Sequence, residues 1–459
     1  MTMRYLTVLI TLLLAVQGVR AEKVAQAIWC SDNTLYFDYS DAVTKNSTYK
    51  DGVTVTEVYN VPLDTYSNNP AWNISDVSTK ATKVVFKEDF NKVTPKSCKA
   101  WFDEFVELKE IEGLKYLNTS EVVDMGFMFE NCKKLEKLDV STFDVKKVTN
   151  VESMFQRCSS LKTIYCDKTW SISGKSSTFS QCDALKGGIA YDSKKIDGDY
   201  ATPINGYFTA QLTLYGNSSN ATNLTDWNGY YGNFTLKDYT LYKDGNWSTL
   251  CLPFDVSDFT GTPLEGATVK ELVTSTFISN NSNSTLSLTF SSDENNLKSI
   301  EAGKPYIVKW ASGEKVSNPV FYGVTINNTI NNKDAVNVIF TCCLSLATLN
   351  ANDNTVLYLA DKNELYYPSA AVTVGAFHAY FQLRNGLTAG SATEAKIRNI
   401  VMNFDGEDDG TATGIASLSA DAQSTKDAAT WYTLDGRRLN GQPTQKGIYI
   451  NNGKKFMVK

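Results

Sequence analysis

The apolar positions of the chain repeat with a fixed period between Trp101 and Leu185. The shared pattern is Met-Phe-x-x-Cys-x-x-Leu, and its two central copies lie 26 residues apart. Trp101-Phe102 lies 27 residues before the first of these copies, and Thr178-Phe179 lies 24 residues after the second. The equivalent columns are Met128-Phe129 with Met154-Phe155, Cys132 with Cys158, and Leu135 with Leu161. A period in the twenties predicts a solenoid, in which each repeat covers the apolar edge of the next.

Each repeat is expected to contain a short strand and a helical segment. Leu135, Leu138 and Val140 have the spacing of a leucine-rich-repeat strand, whereas the segment from Val148 to Phe155 has the spacing of an α-helical or 3₁₀-helical turn. One repeat is not expected to fold alone. Burying each apolar side chain gains ~1.5–3 kcal/mol, but ordering the backbone costs roughly 1–2 kcal/mol per residue.

The sequence of the central repeats is GLKYLNTSEVVDMGFMFENCKKLEKLDVSTFDVKKVTNVESMFQRCSSLKTIYC. It resembles the BspA-like leucine-rich-repeat family of bacterial cell-surface proteins, and the similarity runs from roughly Thr82 to Phe208. The resemblance implies a secreted or surface-attached solenoid without an enzymatic role. Adhesion to host matrix proteins or to neighbouring cells is described for some members, so the resemblance implies partners of that kind.

The whole chain is predicted to be mainly β and multidomain, because turn residues punctuate it throughout and long helical periodicity is missing. Alternating segments before residue 81 are expected to cap the solenoid, and many short strands after residue 209 indicate a β-sandwich-like module. The expected parts are a signal peptide (1–21), an N-terminal β cap (22–80), the solenoid (81–209), the β-sandwich-like module (210–404), a linker (405–429) and a small C-terminal β tail (430–459).

The N-terminal segment indicates export. Arg4 gives a positive start, Leu6 to Val16 an apolar core, and Val19-Arg20-Ala21 a small-x-small cleavage site. The apolar core is too short to span a membrane and no other run approaches 18 apolar residues, so no transmembrane segment is expected. We expect the mature chain at the cell surface or outside the cell, in a Gram-negative bacterium.

The C-terminal segment WYTLDGRRLNGQPTQKGIYINNGKKFMVK is similar to the sorting tails of the type IX secretion pathway. Its last part predicts a hairpin, in which Ile448-Tyr449-Ile450 turns at Asn451-Asn452-Gly453 into Phe456-Met457-Val458. The similarity implies a sorting signal. The alternative is a small terminal β unit without a sorting role.

The outward positions of the predicted repeat strands form the candidate ligand-binding face. Side chains stacked on such a face can bind a ligand, as in other solenoids. The alternative is that alternating charges only solvate the sheet. The residues of this face are Lys109, Glu110, Glu112, Glu136, Lys137, Asp139, Lys162, Thr163 and Tyr165.

Charge and cysteine usage exclude several function classes. The formal net charge is −6, and loss of Arg4 and Arg20 with the signal peptide changes it to −8. Without a basic cluster, nucleic acid is not an expected partner. Cys132, Cys158 and Cys182 share a repeat column, so we interpret them as buried apolar groups rather than as disulfides or metal ligands.

Catalytic motifs are missing from the sequence, and no cofactor or metal is expected. The single histidine, His378, is predicted to lie on the partly exposed side of a strand, opposite Phe377, Ala379 and Phe381. A Cys-His dyad with Cys251, Cys342 or Cys343 is the alternative. The acidic run Asp405–Gly410 fails as an EF-hand loop, because the twelfth position is Ala416 instead of Glu, and is interpreted as a solvated turn.

These observations favour a non-catalytic exported surface protein that adheres or binds a ligand through the strand face of its solenoid. Two alternatives stay open. One is a secreted enzyme of the glycosidase type in the β module, which needs two carboxylates at a set separation. The other is a structural component of a surface layer, in which the repeats serve packing alone.

Overall fold

The computed structural model describes residues 22–63, 69–172, 174–279, 284–291, 297–360, 363–390, 397, 399–404, 431–433, 438–439, 443, 447–451 and 454–458. The expected signal peptide, the linker and the acidic run Asp405–Gly410 lie outside these residues. The fold is mainly β, with 36% strand and 7% helix. The chain divides into two compact units, Met1–Thr209 and Ala210–Lys459.

The first unit contains seven short strands among its described residues, and β8 begins at its end. The strands are β1 (Lys23–Cys30), β2 (Thr34–Asp41), β3 (Val55–Asn60), β4 (Lys83–Phe86), β5 (Glu110–Glu112), β6 (Lys137–Asp139), β7 (Thr163–Tyr165) and β8 (Phe208–Tyr215). The helical segments are α1 (Ser75–Ser78) and the 3₁₀ turns Lys50–Gly52, Glu88–Lys92, Leu114–Tyr116 and Gly198–Tyr200.

The strands of the first unit form two hydrogen-bonded groups. In the first group, β1 pairs antiparallel with β2 and β3, while β2, β4 and β5 are parallel, which gives the order β3-β1-β2-β4-β5. In the second group, β6 pairs in parallel with β7, and β7 pairs with Phe208 and Thr209. Two of the parallel pairs match the sequence period, since Lys83 lies opposite Glu110, 27 residues away, and Lys137 lies opposite Thr163, 26 residues away.

The N-terminal hairpin buries both of its faces, which explains its nearly continuous apolar sequence. Ala27, Trp29, Leu35 and Phe37 belong to the main core of the unit. The alternate positions contribute to a smaller cluster on the other face, which consists of Ile28, Cys30, Tyr36, Tyr49, Val55 and Val85. The hairpin therefore extends the sheet beyond β4, and one of its two faces covers the main core of the unit.

The phenylalanine column of the repeats forms one stack through the core. Phe102, Phe129, Phe155 and Phe179 are fully buried, and consecutive ring centroids lie 5.6, 5.8 and 5.6 Å apart. Such ring contacts contribute about 0.5–1.5 kcal/mol each beyond the burial of their area. We use repeats 1 to 4 for the segments that contain these four residues in order.

The segment expected to form a helical or 3₁₀ turn in each repeat consists of separate hydrogen-bonded turns. Between Val148 and Phe155 these turns do not join into a continuous helix, although bonds such as Met154 N to Val151 O have the i→i+3 spacing of a 3₁₀ turn. Two non-glycine residues per repeat, four positions apart, have positive φ: Ala100 and Glu104, Phe127 and Asn131, Ser153 and Arg157, Ser177 and Gln181. A left-handed residue interrupts a helix. Alternate N–H groups bond to the next repeat, as from Phe129 N to Met154 O at 2.9 Å, whereas those between them close turns within the repeat, as from Met128 N to Met125 O at 3.2 Å.

Among its described residues, the second unit contains several small sheets and one short helix, α2 (Ala221–Asp226). Its strands are β9 (Tyr231–Lys237), β10 (Thr240–Leu241), β11 (Ser248–Leu250), β12 (Thr268–Lys270), β13 (Leu272–Ile278), β14 (Thr285–Phe290), β15 (Tyr306–Lys309), β16 (Val316–Ser317), β17 (Val320–Thr325), β18 (Lys333–Ala335), β19 (Val338–Cys343), β20 (Ala347–Leu349), β21 (Val356–Leu359), β22 (Leu365–Tyr366), β23 (Val372–Val374), β24 (His378–Leu383), β25 (Asn399–Phe404), β26 (Trp431–Thr433), β27 (Arg438–Leu439), β28 (Gly447–Asn451) and β29 (Lys454–Val458).

Two apolar clusters hold these small sheets together. The first surrounds Phe254 and Phe377, and the second surrounds Phe340 and Phe381, whose rings stack 4.4 Å apart. The sheet order β18-β19-β24-β21-β22 places His378 at the beginning of a strand that contacts both clusters. At the C-terminus, β28 pairs antiparallel with β29, which confirms the predicted hairpin.

Candidate functional site

The nine residues of the candidate face lie on or beside β5, β6 and β7. Seven are exposed, and Thr163 and Tyr165 are half-buried. Between them, Leu138 and Ile164 belong to the core and Ile111 packs against it. The alternation therefore turns these positions outward, as the sequence predicts, while their binding role stays a prediction.

The three strands are not joined in one sheet. Within the described part of the first unit, β5 and β6 belong to different hydrogen-bonded groups. Lys137 lies opposite Thr163, and Asp139 lies opposite Tyr165, so the residues of β6 and β7 form a continuous surface. The expected nine-residue face is therefore divided into three residues near β5 and six residues on β6 and β7.

Several charges of the face are held in ion pairs between neighbouring repeats. Lys83 Nζ lies 3.4 Å from Glu110 and 2.7 Å from Glu112, and Lys162 Nζ lies 2.9 Å from Glu136. These bonds raise the pKa of Lys83 and lower the pKa of both Glu112 and Glu136. Lys83 is absent from the sequence-based set, although its 27-residue distance from Glu110 fits the repeat.

The same pairing continues away from the face. Lys134 pairs with Glu107, Lys147 with Glu121 and Arg157 with Glu130, so each base contacts an acid one repeat earlier. Exposed pairs of this kind contribute little stability, but they hold neighbouring side chains in fixed positions. The acid-base pattern of the repeats therefore serves stacking in part.

A smaller set of side chains is left to contact a ligand. Asp139 Oδ1 accepts hydrogen bonds from the Ser141 N–H at 3.0 Å and from its hydroxyl at 2.6 Å, which caps the end of β6. Within the described residues, Lys109, Lys137, Thr163 and Tyr165 form no ion pair and no side-chain hydrogen bond. Three of these four lie together on β6 and β7.

The cysteine column has a defined structural role. The thiols of Cys132, Cys158 and Cys182 lie 3.2, 3.0 and 2.9 Å from the carbonyl oxygens of Phe102, Phe129 and Phe155. Each thiol therefore donates to the phenylalanine of the preceding repeat. Burial raises the pKa of Cys158 and Cys182 well above the ordinary value, so these side chains stay protonated. The three cysteines are free and buried, which agrees with the interpretation as small apolar groups.

An acidic cluster lies on the turns of repeats 1 to 3. Burial, with a smaller contribution from the charges of Glu130 and Glu104, raises the pKa of Asp103 to about 6 against a lowering by Arg157. Burial also raises the pKa of Glu130, whose carboxylate lies 3.5 Å from Arg157. Asp103 Oδ1 is buried without a hydrogen-bond partner in the protein. The raised pKa of Asp103 makes the stability of this unit depend on pH between about pH 4 and pH 6.

The Cys-His alternatives of the second unit do not provide a nucleophile. Cys251 and Cys342 are joined in a disulfide with their Cα atoms 5.7 Å apart. Cys343 lies opposite His378 in the β19–β24 ladder, but burial raises the pKa of its thiol to about 12. A thiolate nucleophile requires the opposite shift. His378 is half-buried and its Nδ1 lies 3.1 Å from Thr249 O, which agrees with the predicted strand position.

The described residues contain neither a metal-binding cluster nor a membrane-spanning helix. These residues contain no group of three or more His, Cys, Asp or Glu side chains that could hold a metal ion. None of their helices combines the length and the apolar character that crossing a membrane requires.

Comparison with known proteins gives a match to part of the first unit. The model of a family described as "Mycoplasma protein of unknown function, DUF285" matches residues 71–191, which contain the four stacked phenylalanines. The match covers about a quarter of the chain. No curated protein and no solved structure matches the chain.

Proposed function

We propose that the protein is an exported, non-catalytic surface protein whose residues 81–209 form a BspA-like leucine-rich-repeat solenoid. In this proposal, residues 22–80 cap the solenoid and residues 210–404 form a sandwich-like β module. The C-terminal tail directs type IX secretion. The solenoid binds host matrix or cell-surface proteins, or neighbouring bacterial cells, through the strand face.

The phenylalanine stack supports this proposal most directly. Four fully buried rings, one per repeat, hold the repeats at a constant spacing. The outward side chains of β6 and β7 are therefore displayed on a backbone that does not need to be ordered when a partner binds. Preorganisation of that kind lowers the entropic cost of association.

Surface-plasmon resonance on the mature chain from Glu22 tests the proposal against matrix proteins and intact partner cells. The informative variant replaces Lys109, Lys137 and Tyr165 with Ala, because these side chains have no ion pair that the substitution would break. We expect it to lose binding by about tenfold or more, since aromatic and basic anchors dominate interfaces. The matched control replaces three exposed residues elsewhere in the repeats, Lys146, Glu152 and Ser159. Absence of binding to every partner, or equal losses in both variants, contradicts the proposal.

A structural role in a surface layer is the second candidate. The ion pairs between repeats favour it, because Glu110, Glu112, Glu136 and Lys162 are already engaged within the protein. Electron microscopy of the purified mature chain separates the two functions. Ordered assemblies without partner binding favour the structural role, whereas binding by a monomeric chain favours adhesion.

A further inference from the structure

A cleft of about 60 Å³ lies among β10, β11, β23 and β24 of the second unit. Its floor contains the buried rings of Trp247 and Trp310, which are 6% and 3% exposed. Its rim contains the half-buried rings of Tyr242, Tyr358 and His378. With the buried ring of Tyr239, six aromatic rings line one small opening.

The remaining lining is uncharged and partly aliphatic. Leu241, Val308 and Val372 contribute apolar groups, whereas Asn246, Ser248, Thr249 and Thr373 contribute amide or hydroxyl groups. The described residues of the lining include no Asp, Glu, Lys or Arg. An opening with aromatic walls and a few neutral polar groups has the composition of a small-molecule site rather than of a packing gap.

Neighbouring side chains hold the rings in place. Lys309 Nζ lies 4.6 Å from the centroid of Trp247, and Lys243 Nζ lies 5.3 Å from that of Trp310. Trp247 also stacks on Phe404 at 4.9 Å. Since a carbonyl oxygen can only accept, the hydrogen bond to Thr249 O assigns the proton of neutral His378 to Nδ1 and fixes its ring. The cleft is therefore formed before any ligand enters.

We propose that this cleft binds a neutral saccharide. One face of a sugar ring is apolar and packs on aromatic rings, while its hydroxyl groups bond to neutral polar side chains. At roughly 10–15 Å³ for each water-sized position, the cleft of about 60 Å³ holds about four to six such positions, so it takes in part of one ring, such as the edge of the terminal unit of a glycan. The lining offers no carboxylate pair, so the ligand is bound and not hydrolysed.

Isothermal titration calorimetry on the mature chain tests the proposal, with neutral gluco-, galacto- and N-acetylglucosamine oligosaccharides as probes. We expect at least one of them to bind and Tyr242→Ala to weaken it by about tenfold or more. Tyr242→Phe keeps the ring and is expected to retain most of the affinity. Tyr322→Ala, at a tyrosine that is 70% exposed on β17, is the control and leaves binding unchanged.

Three outcomes overturn the proposal: no binding at millimolar concentration, equal binding by Tyr242→Ala and the wild type, or binding of carboxylated or sulfated saccharides alone. Circular dichroism of each variant identifies loss of folding, and Tyr358→Ala provides a second substitution at the rim. The first-unit variant with Ala at Lys109, Lys137 and Tyr165 is expected to bind the saccharide normally. Failure of the cleft and failure of the adhesive face are therefore distinguishable.

Discussion

The ring of Phe129 lies 5.8 Å from the ring of Phe155, and the two planes are within 1° of parallel. Because both rings are fully buried, removing one leaves a cavity that its stacked neighbours cannot fill. Phe129→Ala is expected to lower the free energy of unfolding of the first unit by about 3–5 kcal/mol. Denaturant unfolding of the mature chain measures this loss. Tyr322→Ala serves as the exposed control, and a loss below about 1 kcal/mol at Phe129 would contradict the stack.

The number of cysteines that a thiol reagent labels is expected to differ among three conditions: the native protein, denaturant without reductant, and denaturant after reduction. In the native protein the seven free thiols are buried, so a thiol reagent should label none of them rapidly. In denaturant without reductant, seven should react, and reduction should release Cys251 and Cys342 to give all nine. Mass spectrometry after each step counts the labels. Rapid native labelling of Cys158 would argue against the thiol-carbonyl contacts between repeats.

Asp103 is expected to make the first unit less stable as the pH rises. Burial raises its pKa from 3.8 to about 6, so the folded state holds a proton that the unfolded state has released between these values. The unfolding free energy therefore falls between about pH 4 and pH 6, and this contribution is absent above that window. After allowance for solvent screening, Asp103→Asn should stabilise the unit by about 1 kcal/mol at pH 7.5 and by less at pH 4.

Substitution of Asp38 is expected to change the stability of the first unit in the opposite direction to substitution of Asp103. Burial alone would raise its pKa, but hydrogen bonds from Tyr49 at 2.6 Å and Lys50 at 3.1 Å lower it overall. Its stabilising contribution is therefore present at neutral pH and lost as the pH falls. Asp38→Asn should destabilise the unit more at pH 7.5 than at pH 4. Denaturation curves at both pH values for the two variants must show opposite signs.

Gly303 is expected to tolerate no side chain. It has φ of +67°, and a Cβ at this position would lie 1.9 Å from Thr329 O. Gly303→Ala must therefore move the backbone, at a cost above the ~1–2 kcal/mol of a left-handed alanine alone. Gly261 has φ of +71° with nothing within 4 Å, so Gly261→Ala should show only that smaller cost. Equal melting temperatures for the two variants would contradict this account.

The apolar side of the first unit could be predicted because its period is long and regular. Phe129 and Phe155 occupy the same column in the sequence and contact each other in the fold. The form of the turns in each repeat could not be predicted, because spacing does not encode φ. Ser153 and Arg157 have no sequence signal for a left-handed backbone, yet both adopt it, and their own N–H groups bond to Ser176 O and Ser180 O of the next repeat.

The candidate sites were harder to predict, since they depend on contacts between distant residues. The ion pair of Lys162 with Glu136 joins residues one repeat period apart, so the period could have predicted it. By contrast, Cys251 and Cys342 are 91 residues apart, and no local pattern joins them. The aromatic cleft likewise assembles Tyr242 and Tyr358 from separate strands, so only the tertiary fold reveals it.

The thiol of Cys158 bonds to the carbonyl of Phe129, and its own repeat presents Phe155 to the thiol of Cys182 in the same way. Each of these repeats therefore donates a thiol hydrogen bond to the preceding repeat and accepts one from the following repeat. A coding segment for one such unit could be duplicated or deleted in frame and still meet a matching neighbour. The length of this array can therefore evolve in whole steps, without a new interface being invented each time.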